Sequence, residues 1–104
     1  MDRINFDAEF ISIILNGEKK TTIRRGIRRY PLGKVVELTV NNEPVALAKV
    51  KKVVVKRISE INDEDARIDG FKSKDELLSA LKKIYGDLSD SEFVTIVHFE
   101  VLKS

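Results

Sequence analysis

Apolar residues recur in this chain with two different periods, and the switches between them outline its elements. Arg3 to Phe6 predicts a short first strand. Asp7 stands where a side chain caps a helix by accepting a backbone N–H. Phe10, Ile11, Ile14 and Leu15 then follow at helical spacing. Gly17 falls where a helix ends, because glycine enters the left-handed conformation at little cost. Thr21 to Arg25 is β-branched and predicted extended, and Ile27 to Gly33 reads as a loop.

Val35 to Val40 predicts a strand, followed by a tight turn at Asn41-Asn42, since asparagine tolerates positive φ. Val45 to Lys56 predicts a long strand whose alternation changes phase after Val50, the mark of a bulge or bend. Ile58 to Ile68 reads as a short helical stretch. Ser73-x-x-Glu76 is a capping box opening a helix with Leu77, Leu78, Leu81 and Ile84 on its apolar face, and Gly86 ends it. Phe93 to Leu102 predicts a final strand. Phe93, Thr95, Val97, Phe99 and Val101 share one of its faces, and Val94, Ile96, His98 and Glu100 the other. The order β-α-β-β-β-α-α-β predicts an α+β fold, with about three helices on a small, barrel-prone antiparallel sheet.

Composition narrows the class. The 104 residues suit one domain spanning 1–104, and 42% of them are hydrophobic against 35% charged, which argues against disorder. No cysteine is present, which excludes disulfides, zinc ribbons and thiol catalysis. No apolar run approaches the ~20 residues that span a membrane, so a cytoplasmic protein without a membrane partner is expected. His98 is the single histidine, and neither a metal nor another cofactor is expected. The net charge of +2 conceals an asymmetry: Met1–Arg57 holds 13 Lys and Arg against 6 Asp and Glu, whereas Ile58–Ser104 holds 6 against 11. Either the first half presents a positive face, or the two halves neutralise each other within one fold.

The densest chemistry lies in Gly17-Glu18-Lys19-Lys20-Thr21-Thr22-Ile23-Arg24 and the basic run that continues to Arg29. A glycine turn beside a lysine, a hydroxyl and a guanidinium can hold a phosphate, recognise a base or hydrolyse an amide. Crowding by Lys20, Arg24 and Arg25 would lower the pKa of Lys19 and suit it to act as a base. Lys19 and Thr22 would face opposite sides of an ideal strand, so they converge only if Lys19 still lies in the glycine turn. Thr22 could be a nucleophile or position a water, whereas Thr21 fits the plain role of a strand residue. The planar fork of Arg24 suits phosphate, carboxylate or a base edge, or an ion pair with Asp69. Arg25, Arg28 and Arg29 suit tracking of a phosphate backbone, and Tyr30 suits stacking on a base.

Read as G-x-K-x-x-T-x-R, the stretch from Gly17 to Arg24 resembles the signature of the ASCH family, small domains with a PUA-like barrel. Gly33-Lys34-Val35-Val36 matches the family's strand entry after the signature. Ala66, the step Asp69-Gly70-Phe71 and the helix opening at Ser73 match its later features, so the resemblance runs through nearly the whole chain. It implies a PUA-like barrel and binding of RNA. It also implies a possible activity, because some small bacterial members are amidohydrolases that remove the acetyl group from acetylated cytidine. Their motif lysine and threonine correspond to Lys19 and Thr22, and their later glutamate falls on Asp69, one methylene shorter. That shortening favours recognition over catalysis. The first expectation is therefore a monomer that binds RNA or a modified nucleoside around Gly17, Lys19, Lys20, Thr22, Arg24, Asp69 and the following basic run. The second is a metal-independent amidohydrolase using Lys19, Thr22 and Asp69, and a ribonuclease is the third.

Overall fold

The computed structural model describes residues 1–102. Its strands are β1 (Arg3–Phe6), β2 (Thr21–Arg25), β3 (Val35–Val40), β4 (Glu43–Arg57) and β5 (Phe93–Val101). Its helices are α1 (Ile11–Leu15), α2 (Asp63–Ile68) and α3 (Lys74–Tyr85), with single 3₁₀ turns at Ala8–Phe10 and Ile58–Glu60. The strands form one sheet in the order β1-β3-β4-β5-β2, curled into a half-barrel with the helices packed on it. The α+β class expected from the sequence is present, with three helices on the sheet, but the sheet is mixed rather than antiparallel and forms a half-barrel.

Sequence patterning accounts for most of these elements. Asn41 and Asn42 adopt φ of 51° and 65°, the left-handed pair that closes a two-residue hairpin between β3 and β4. The 15 residues of β4 pair with β3 through their first half and with β5 through their second. The register of β4 on β5 shifts between Val50 and Lys52, where the phase change predicted a bulge, and Lys51 is the extra residue. β1 pairs with β3 in parallel, unlike the antiparallel neighbours elsewhere in the sheet. The chain leaves β1 and returns to β3 through α1 and β2, and a connection of that length lets a strand come back in the same direction.

Two local expectations change. Asp7 makes no side-chain cap; its backbone carbonyl accepts from Phe10 N at 3.1 Å instead, and a 3₁₀ turn leads into α1. The stretch from Ile58 to Ile68 is two pieces, because extended Asn62 interrupts it and caps α2, accepting from Asp65 N at 2.8 Å. At α3 the serine half of the capping box forms, with Ser73 Oγ accepting from Glu76 N at 3.3 Å.

The alternation of β5 feeds two cores. Val97 and Phe99 join Ile4, Phe6, Ile14, Val36, Leu38, Ala48 and Val50 on one side. Val94 and Ile96 join Ile23, Ile58, Ile61, Ala66, Leu77 and Leu81 on the other, beneath α2 and α3. β5 is thus covered on both faces, and burying each such aliphatic side chain is worth about 1.5–3 kcal/mol. Arg24 spans the two edge strands: its Nη2 on β2 donates to the carbonyl of Asn5 on β1 at 2.8 Å. Among the described residues no helix is long and apolar enough to cross a membrane.

Candidate functional site

Two loops meet to build the site. The first follows α1, where Gly17 takes φ of +86° just past the helix end. It is tied down by Lys19 N donating to Ile13 O at 2.9 Å and by Lys20 N donating to Ile68 O at 2.8 Å. The second joins α2 to α3 through Asp69-Gly70-Phe71. Gly70 has φ of +93°, and a Cβ there would lie 3.1 Å from Ile13 Cδ1 and 3.4 Å from Lys19 Cβ. Glycine therefore serves both the backbone conformation and the close approach of the loops.

At their junction Lys19 and Asp69 form a buried ion pair, with side chains only 5% and 4% exposed. Lys19 Nζ lies 2.9 Å from Asp69 Oδ1 and donates to the Asp69 carbonyl at 3.1 Å. Thr21 Oγ1 donates to the same Oδ1 at 2.7 Å. The ammonium also sits 5.1 Å from the centroid of Phe10 and 6.0 Å from that of Phe71. Both side-chain bonds fall on Oδ1. Burial pushes the Lys19 pKa down, opposed by Asp69 and assisted by Arg24. Burial likewise pushes the Asp69 carboxyl up, opposed by Lys19, Thr21 and Arg24. Burial, rather than the expected crowding by Lys20, Arg24 and Arg25, is the larger cause for Lys19, and of those three only Arg24 contributes.

The pair opens on a cavity of about 230 Å³. Lys19, Asp69, Thr22 and Arg24 line it together with the rings of Phe10 and Phe71. Thr22 thus joins Lys19 and Asp69 in one concave space, as the glycine turn allows. Its hydroxyl accepts from Arg24 Nε at 2.9 Å, while the bond to Asp69 belongs to its neighbour Thr21. The Arg24 bonds go to neutral oxygens, those of Thr22 and Asn5, and its guanidinium lies 5.5 Å from the Phe6 ring. An acceptor, a cation, a hydroxyl and two aromatic walls in so small a space suit one compact, planar, polar group.

A second cleft of about 460 Å³ adjoins the first, and Asn5, Arg24 and Tyr85 line both. Arg28, Arg29 and Tyr30 open into it. Tyr30 is half-buried, and burial raises its pKa against the opposing influence of Arg24 and Arg28. The remaining predicted residues lie elsewhere. Arg25 is engaged by Glu92 at 2.7 Å, outside both cavities. Gly17 and Lys20 line a larger groove of about 1100 Å³ with Leu15, Leu47 and Leu102, and Lys19 borders both it and the smaller cavity. The residues overlooked in the sequence are Asn5, Phe10, Thr21, Phe71 and Tyr85. Phe71 stood in the Asp69-Gly70-Phe71 step with nothing to mark it as a cavity wall, and the other four carried no signal that set them apart.

The ASCH domain family model matches residues 2–103, and the chain belongs to that family. An ASCH domain from Lactobacillus crispatus shares the fold, with a TM-score of 0.82 at 16% identity over 96% of this chain and 78% of the other. A protein from Enterococcus faecalis gives a TM-score of 0.70 at 15% identity over 90% and 70% of the two chains. The ASCH protein of Zymomonas mobilis gives 0.70 at 15% identity over 94% of this chain and 65% of the other. A search of curated proteins found no match.

Proposed function

We propose that this ASCH domain binds RNA by taking one unpaired base, or a modified nucleoside, into the cavity beside Lys19 and Asp69. The observation that carries the reading is the buried ion pair opening on a small cavity walled by Phe10 and Phe71. The Asp69 carboxylate accepts an N–H from the base edge, Lys19 and Thr22 satisfy its acceptors, and the rings cover its faces. The cavity is smaller than the roughly 300–1000 Å³ of drug-sized sites, which fits a single base rather than a paired one. In this reading the protein acts as a single-domain monomer on cytoplasmic RNA.

The test is fluorescence anisotropy of a short single-stranded oligoribonucleotide across a salt series. Three guanidinium contacts, from Arg24, Arg28 and Arg29, give a slope of log K against log salt of about −2. Absent or salt-insensitive binding would remove the proposal.

A second reading, amidohydrolysis of acetylated cytidine, is favoured by the lowered Lys19 pKa. Neutral Lys19 would take a proton from Thr22 or water as it attacks the acetyl carbonyl and return it to the cytidine nitrogen as the amide C–N bond breaks, with ionised Asp69 orienting the amine and water releasing acetate from any acyl-threonine. The rate would then rise with pH through the raised Asp69 pKa and again through the lowered Lys19 pKa. EDTA-resistant turnover of acetylcytidine that vanishes in Lys19→Ala supports this reading; undiminished turnover in that variant sinks it.

A further inference from the structure

Beyond the base cavity lies the cleft at the seam between β1 and β2, and its lining is one-sided in charge. Arg3, Arg24, Arg28 and Arg29 line it with Tyr30 and Tyr85, and no carboxylate is among its lining residues. Arg3 is shared with Glu37 at 3.0 Å, whereas Arg24 has given its bonds to neutral oxygens and keeps its full charge. Asn5, Arg24 and Tyr85 line this cleft and the base cavity alike, so one ligand can reach both.

The loop that presents Arg28 and Arg29 is fastened from inside the sheet. Thr95 on β5 is fully buried, and its hydroxyl donates to Gly26 O at 2.7 Å while accepting from Arg28 N at 2.9 Å. Gly26 holds φ of +85°, turning the chain out of β2 just before the arginines. Arg28 Nε then donates back to Arg25 O at 2.9 Å. A threonine hydroxyl buried in a strand and spent on both ends of a three-residue turn fixes where those guanidinium groups begin.

We infer that the seam cleft is a phosphate subsite, and that the unit recognised is a nucleotide whose phosphate lies there while its base enters the Lys19–Asp69 cavity. This rests on the base-binding reading for one half of the ligand only; the phosphate half stands on the arginines and on the Thr95 clamp. Thr95 is a positioning residue and touches no ligand. The phosphate belongs either to a mononucleotide or to an RNA chain.

The experiment is isothermal titration of the four nucleosides, their 5′- and 3′-monophosphates, inorganic phosphate and a short single-stranded oligoribonucleotide. At least one monophosphate should bind roughly 10- to 100-fold more tightly than its nucleoside, the value of one or two charge-assisted bonds. Arg29→Ala should collapse that ratio towards one. Thr95→Val should lower it several-fold, and Thr95→Ser, which keeps the hydroxyl, should restore it; a purely structural role for Thr95 would change stability without moving the ratio. If the oligoribonucleotide shows the Arg29 dependence and no monophosphate does, the phosphate source is the RNA chain. Nucleoside binding with no gain from phosphate in any form overturns the inference and leaves the base-binding reading intact. Binding of inorganic phosphate without nucleosides or RNA overturns the base-binding reading and the nucleotide assignment with it, leaving only a phosphate site in the cleft.

Discussion

Lys19 and Asp69 are each held in the less favourable state for their charge by burial, and each is the other's principal relief. Removing one partner should therefore cost more than removing both charges. Lys19→Met leaves a buried carboxylate with the Thr21 hydroxyl, and should destabilise the protein by about 3–5 kcal/mol at pH 7. The pair Lys19→Met with Asp69→Asn should recover most of that loss. The pH dependence has a definite sign. A carboxyl whose folded pKa lies above its unfolded one contributes stability that is full below the unfolded value and is lost as pH rises through the folded one. In Lys19→Met the Asp69 pKa rises further, so urea denaturation should find that variant recovering towards about pH 4. A penalty independent of pH would mean that Asp69 is not the group left stranded. The lysine, the aspartate and their glycine-flanked loops were legible in sequence because each carries unusual chemistry. Phe10 and Phe71 were not, since an aromatic residue in an apolar run looks the same whether it fills a core or walls a cavity. The roles of Thr21 and Thr22 were divided otherwise than expected, because the register of β2 on β5 decides which hydroxyl meets Asp69.

At the scale of elements, the half-barrel closes through side chains rather than a backbone ladder, and Arg24 is a fastener between its two edge strands. Arg24→Met should free the Asn5 carbonyl and raise amide exchange in β1 roughly tenfold, the worth of a hydrogen bond to a charged group. Exchange in the β4–β5 ladder should hardly change, and equal acceleration throughout would contradict this local role. Strands, the asparagine hairpin and the bulge after Val50 were readable because period and turn chemistry are local properties. The parallel docking of β1 on β3 was not, since it depends on the path of the whole segment between them. The division of Ile58–Ile68 likewise turned on one residue, Asn62, whose preference for capping outweighed continuation of a helix.

Across the whole molecule, the charge asymmetry of the sequence resolves into both of its readings. Three of the six ion pairs among the described residues join the basic first half to the acidic second: Lys19–Asp69, Arg25–Glu92 and Lys56–Asp65. Arg24, Arg28 and Arg29 are left gathered at the seam, and no ion pair among the described residues claims them. The basic run is thereby divided by the fold: Lys19 turns to Asp69, Arg25 to Glu92, Lys20 to the large groove, and Arg24, Arg28 and Arg29 to the cleft beside the base cavity. That large groove, with Leu15, Val45, Leu47 and Leu102 along it, is the competing surface on this protein. Nuclear magnetic resonance titration with a short single-stranded oligoribonucleotide distinguishes the two most directly. Binding at the base cavity places the largest shifts on Thr22, Asp69 and Phe71, which line that cavity alone, and extends them through Arg24 to Arg28 and Arg29. Shifts confined to Leu15, Leu47 and Leu102, or none at all, would contradict it.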